Sequence, residues 1–162
     1  MVRIFFLFLM LIPVFAQSVK IEFLETRHIE ALNEKSVRAG EIEIEGDRVS
    51  VSYLSPHERK ITLENGIITM QAKNSSVQKS VEEKQHIAYM FTVFKAIFEK
   101  DENGLKKFFK LTNDGKDIVL TPFSTSAPLS QIIYSIEADV VKKIEIFSMD
   151  SSRIVIDVVE KR

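Results

Sequence analysis

The sequence predicts a mainly β protein: one large, curled antiparallel sheet of about eleven strands, with a single amphipathic helix laid against it. Three observations carry this. Apolar and polar residues alternate at period two through most of the chain. Turn signals separate the alternating runs at short intervals. One stretch alone, His86 to Lys100, changes to helical period, with Ile87, Met90, Phe91, Phe94, Ile97 and Phe98 on one face.

The chain opens on a targeting segment. Arg3 supplies a positive start, Ile4 to Phe15 is continuously apolar, and Val14-Phe15-Ala16 forms a cleavage site before Gln17. The apolar run is shorter than the ~20 residues a spanning helix needs. Residues 1–16 are therefore expected to be a cleaved signal peptide, and residues 17–162 one exported domain. Cysteine is absent, so neither a disulfide nor a cysteine-linked lipid anchor is expected. Losing Arg3 leaves 21 basic against 23 acidic residues, a net charge of about −2. That balance excludes a nucleic-acid binder, which needs a strong basic excess, and offers no polybasic patch to a membrane surface.

The first strand runs near Val19 to Ala31, with Ile21, Phe23 and Glu25 on one face. Gly40, Ile42 and Ile44 then alternate with Glu41, Glu43 and Glu45, which places the carboxylates in solvent as an edge-protecting row. Gly46-Asp47 turns the chain. Val49, Val51 and Tyr53 continue inward until Ser55-Pro56 stops the strand. Arg59 to Glu64 and Ile67 to Lys73 flank Asn65-Gly66, a strong hairpin signal. Asn74-Ser75-Ser76 is read as the next turn and Val77 to Glu82 as a polar strand.

The helix follows, with Asp101-Glu102-Asn103-Gly104 expected to close it on glycine. Phe108 to Thr112 and Asp117 to Thr121 flank Asn113-Asp114-Gly115. After a loop from Pro122 to Pro128, the strands Leu129 to Glu137, Val140 to Met149 and Ser152 to Val158 form a meander. It points Ile132, Tyr134, Ile136, Ile144, Ile146, Ile154, Ile156 and Val158 inward. Short links throughout imply antiparallel neighbours in one continuous meander.

In order and spacing these elements resemble the periplasmic lipoprotein carrier (LolA-like) family, in its short variant. The resemblance rests on Phe23-Leu24-Glu25-Thr26-Arg27, on Ser36 to Gly40 with its Ile/Glu strand, on Tyr53-Leu54-Ser55-Pro56, and on Asn65-Gly66. The best stretch runs from Phe109-Lys110-Leu111 to Gly115-Lys116-Asp117-Ile118-Val119-Leu120-Thr121-Pro122. It implies an unclosed antiparallel half-barrel whose concave apolar face is covered by helix and holds acyl chains crossing the periplasm. An inner-membrane transporter and an outer-membrane acceptor are the partners it implies. The chain departs from the family in having only Gln17 to Lys20 before its first strand and no counterpart of the C-terminal extension. A loop Arg that latches the family's lid is also missing, Arg48 being offset from its place.

Candidate chemistry is sparse. His28, His57 and His86 lack metal-ligand spacing. Ser55, His57 and Glu58 are neighbours on one turn, whereas a catalytic triad needs separated segments. Lys106 and Lys107 beside Phe108 and Phe109 could meet a lipid phosphate, or simply be a solvated helix end. No enzymatic activity, cofactor or metal is expected, and the protein is expected to be a monomer. The expected function is a periplasmic carrier that shields the acyl chains of a lipoprotein or other lipid on the way to the outer membrane. The alternative is a sensor or interaction module of the same fold that binds without transporting. The expected groove is Phe23, Ile42, Ile44, Val51, Tyr53, Leu63, Ile132, Tyr134 and Ile146 on the sheet, with Met90, Phe91, Phe94 and Phe98 on the helix.

Overall fold

The computed structural model describes residues 18–125 and 127–159; the expected signal peptide and its cleavage site lie outside them. The strands are β1 Val19–Ile29, β2 Glu34–Glu45, β3 Arg48–Ser55, β4 Arg59–Glu64, β5 Ile67–Ala72 and β6 Ser75–Ser80. Two helices follow, α1 Gln85–Phe98 and α2 Glu102–Leu105. The chain continues as β7 Phe109–Asp114, β8 Asp117–Pro122, β9 Leu129–Glu137, β10 Val140–Ser148 and β11 Arg153–Val159.

All eleven strands belong to one antiparallel sheet in the order β6-β5-β4-β3-β2-β1-β11-β10-β9-β8-β7. The expected single meander is in fact two, β1–β6 and β7–β11. They are joined where β1 pairs with β11, from Glu22 opposite Val159 to His28 opposite Arg153. The sheet is unclosed: β6 and β7 are its edges, and α1 and α2 connect them.

The alternation works as the sequence implies. Ile42 and Ile44 are buried, and Glu41, Glu43 and Glu45 face out. β2 is an interior strand, however, so the carboxylate row protects no edge. Its charges meet cross-strand cations instead: Glu41 with Lys20 at 2.9 Å, Glu43 with Lys60 at 4.0 Å, and Glu45 with Arg48 at 3.3 Å. Arg48 is thereby held at the turn between β2 and β3.

Turn positions differ from the sequence reading in four places. β1 ends at Ile29, because Glu30–Leu32 wind into a 3-10 turn and Asn33 adopts φ 49°. The β5–β6 turn is Lys73-Asn74, and Ser75 already pairs with Ala72. The β7–β8 turn is Gly115-Lys116, with Gly115 at φ 68° and Asp114 opposite Asp117. α1 ends at Phe98, where Lys100 takes the left-handed conformation at φ 58°. Asp101 to Gly104 do not close α1; they start α2, with Asp101 accepting the Gly104 N–H at 2.9 Å.

The core lies between the concave face and α1. β1–β5 contribute Phe23, Ile42, Ile44, Val49, Val51, Ile61 and Ile68, and β8–β11 contribute Leu120, Leu129, Ile132, Tyr134, Ile144, Ile146 and Ile156. α1 buries Phe91, Val93, Phe94, Ala96 and Ile97. Val93 and Ala96 widen its face beyond the stripe read from the sequence. Leu105 and Phe109 plug the end beneath α2.

Gly40 is required by packing rather than by its backbone angle. A Cβ there would stand 2.5 Å from Phe23 Cζ and 2.6 Å from the Ser52 carbonyl oxygen. The Phe23 ring can shift, but the sheet backbone cannot. Gly40→Ala should therefore lower stability by about 1–3 kcal/mol, the usual cost of overpacking. It should be read as a lower denaturant midpoint at unchanged slope.

Candidate functional site

α1 does not fill the concave face evenly. A cavity of about 210 Å³ remains between it and β1–β4, β10 and β11. Eight of the thirteen groove residues expected from sequence line it: Phe23, Ile42, Val51, Tyr53, Met90, Phe91, Phe94 and Ile146. Ile44, Leu63, Phe98, Ile132 and Tyr134 lie outside it, packed in the surrounding core. Ile61, Ile87, Ile154, Ile156, Glu25, Arg27 and His86 complete the lining. Ile154 and Ile156 were readable as inward residues. Glu25 and Arg27 follow Phe23 at period two and so share its face, but charged residues are seldom assigned to an interior.

The two ends of the cavity differ. At one end α1 is fastened to hairpin turns by its C-terminal half. Lys95 Nζ meets Asp47 Oδ1 of the β2–β3 turn at 3.0 Å, and Lys100, just past the helix, meets Asp139 of the β9–β10 turn. Both aspartates are well exposed, so each ion pair contributes little, on the order of 0–1 kcal/mol.

The other end lies beneath the start of α1 and carries polar groups. The Tyr53 hydroxyl donates to Glu25 Oε2 at 2.9 Å. Arg38 Nη1 stands 3.9 Å from Glu25 Oε1, and its guanidinium covers the Tyr53 ring at 5.6 Å. Phe23 meets Tyr53 edge to face with ring centres 5.9 Å apart. Glu25 is only 4% exposed. Burial, and then the neighbouring Glu25 charge, hold the Tyr53 phenol protonated well above its ordinary range.

A second, more open concavity of about 650 Å³ adjoins this end. The start of α1 supplies Gln85, His86 and Tyr89, and the far wall is Lys107, Phe108 and the β8–β9 loop with Phe123 and Pro128. His86 lines both spaces. Tyr89 packs on Phe108 and Phe109, with centroids at 6.0 and 5.9 Å. Of the two lysines singled out in the sequence, Lys107 borders this groove and Lys106 is paired with Glu102 at 3.1 Å.

Elsewhere, Ser55 at the end of β3 and His57 and Glu58 on the β3–β4 loop are all exposed. Among the described residues no group of three or more His, Cys, Asp or Glu side chains could hold a metal ion. No helix among them is long and apolar enough to cross a membrane.

No family model matches the sequence, and a search of curated proteins finds no match. Among solved structures, the fold is similar to the crystal structure of a DUF1329 family protein from Desulfovibrio piger ATCC 29098. The similarity has a TM-score of 0.45 at 8% identity, covering 90% of this chain and 85% of that one.

The three tyrosines of the chain give a direct test of this packing. Burial raises Tyr53 and Tyr89, and burial followed by the Glu102 charge pushes Tyr134 up to about 12. Ultraviolet titration of the folded protein should show no tyrosine ionising near the ordinary value of about 10. Tryptophan is absent, so the phenolate signal is unobscured. Because the folded phenols hold their protons longer than unfolded ones, their stabilisation is complete below about pH 10 and is lost as pH rises through the folded values. Urea midpoints measured from pH 9 to 12 should fall accordingly, and less steeply in Tyr53→Phe.

Proposed function

We propose that this chain is a non-catalytic carrier that shields an acyl chain between α1 and the concave face of the half-barrel. The observation that carries the reading is an apolar cavity beneath the helix, fastened at one end and polar at the other. In line with the LolA-like resemblance, the cargo is an acylated lipoprotein or another lipid carried through the periplasm towards the outer membrane. Its partners on that route are an inner-membrane transporter and an outer-membrane acceptor.

Energetics support a helix that lifts to admit its guest. At about 210 Å³ the cavity is smaller than the roughly 300–1,000 Å³ of most ligand sites, so a long chain needs more room. Each methylene buried returns about 0.8 kcal/mol, so ten contribute about 8 kcal/mol. That is enough to offset disturbing the first turns of α1, where Ile87 and Met90 are only partly buried. The small volume also favours a second reading, a sensor module that binds one lipid or protein partner without transporting it.

An uncharged fluorescent apolar probe should bind the wild type saturably at one site. Met90→Glu should weaken it at least tenfold while leaving the melting temperature nearly unchanged. Ile132→Ala, outside the cavity, should do the reverse, costing about 2–5 kcal/mol of stability and sparing the probe site. A wild type that binds no lipid or probe under any condition would exclude the carrier. Transfer of a labelled lipid between vesicles separates the readings, since only a carrier accelerates it. Intact-mass measurement of protein exported to the periplasm should show a chain beginning at Gln17.

A further inference from the structure

β1 brings Phe23, Glu25 and Arg27 in turn onto the concave face, so a carboxylate and a guanidinium follow an aromatic ring into one cavity. One Glu25 oxygen, Oε2, is engaged by Tyr53 at 2.9 Å. The other, Oε1, is buried without a hydrogen bond; Arg38 at 3.9 Å is at ion-pair range but too far to donate one. Arg27 Nε is likewise buried without an acceptor. Buried polar atoms are nearly always satisfied by protein, water or a ligand, so each orphan marks a place for a polar partner.

The two orphans are opposite in kind. Oε1 accepts and Nε–H donates. They project from one strand face two residues apart, about 7 Å along the chain. Glu25 and Arg38 form an ion pair beside them at 3.9 Å.

We propose that the polar end of the cavity is a headgroup site for an uncharged group carrying both a hydrogen-bond donor and an acceptor. An amide or a pair of glycerol hydroxyls at the end of an acyl chain has this chemistry. The ligand donates to Glu25 Oε1 and accepts from Arg27 Nε–H. A carboxylate or phosphate would set acceptor against acceptor at Oε1. A cation would meet Oε1 but leave Arg27 unmatched beside a second guanidinium. The assignment rests on the carrier reading and narrows its cargo.

The test is displacement of an uncharged naphthylamine probe from the mature protein by four sixteen-carbon compounds: palmitamide, monopalmitoylglycerol, palmitate and hexadecane. The amide and the glyceride should each displace at about tenfold lower concentration than palmitate. Whichever leads identifies the source of the headgroup, an N-acyl compound or an acylglycerol. Glu25→Gln keeps an oxygen for the Tyr53 hydroxyl and turns the orphaned acceptor into a donor. It should strengthen palmitate about tenfold and erase the advantage of the amide and glyceride, each affinity taken relative to hexadecane on the same variant. Arg27→Met should weaken amide, glyceride and palmitate relative to hexadecane. Palmitate equalling the neutral compounds on the wild type overturns the proposal, and that comparison needs no variant to fold. An unchanged order in a folded Glu25→Gln protein overturns it too. Equal displacement by hexadecane and the amide would reject the headgroup site but keep the carrier. Failure of every compound and of the probe would reject both.

Discussion

The chain leaves the sheet at one edge and re-enters it at the other. β6 and β7 are the outermost strands of an unclosed sheet, and the connection between them has to cross its open side. An apolar concave face cannot stay in water, and a helix with a broad greasy stripe is the element that makes this crossing. The position of α1 is therefore a consequence of strand order. The cavity follows in turn, because a straight cylinder laid in a curved trough contacts it unevenly.

That unevenness gives the site its direction. α2, Leu105 and Phe109 fill one side of the trough, and the ion pairs of Lys95 and Lys100 tie the end of α1 to two hairpin turns. The space that remains lies over β1–β4, β10 and β11, below the less buried first turns of the helix. Its polar end is built on β1, the central strand of the sheet, and on its neighbour β2, with Tyr53 of β3 completing it. Those strands are held on both sides by neighbours, so Glu25, Arg38 and Tyr53 stand on a rigid support while their roof is the looser part.

Much of this was legible in the sequence because period two and period 3.6 are local properties. Ile42, Ile44, Val51 and Tyr53 were placed inward by alternation alone, and Phe91 and Phe94 by helical spacing. The pairing of β1 with β11 was not legible, since local pattern carries no information on which distant strands meet. Turn positions slipped by a residue or so at Asn74 and Gly115, where several turn-forming residues lie side by side and register decides between them. Gly104 was misread because its N–H is capped by Asp101, which begins a second helix. Ile132 and Tyr134 do face the core, yet miss the cavity, because alternation reports the face of a sheet and not where a helix rests upon it. Glu25 and Arg27 were visible in the pattern and passed over for their charge.

The fastening of α1 is electrostatic and lies in water. Asp47 and Asp139 sit on exposed turns, so dissolved ions reach both contacts. The screening length shortens from about 10 Å at 0.1 M salt to about 3 Å at 1 M, which weakens such pairs while the apolar contacts beneath the helix persist or strengthen in salting-out media. The two ends of the helix thus respond to different properties of the medium. Ionic strength acts on the tethered end, whereas the other end rests on apolar contacts that salt does not weaken. The freedom of the helix is set by the solution as well as by the chain.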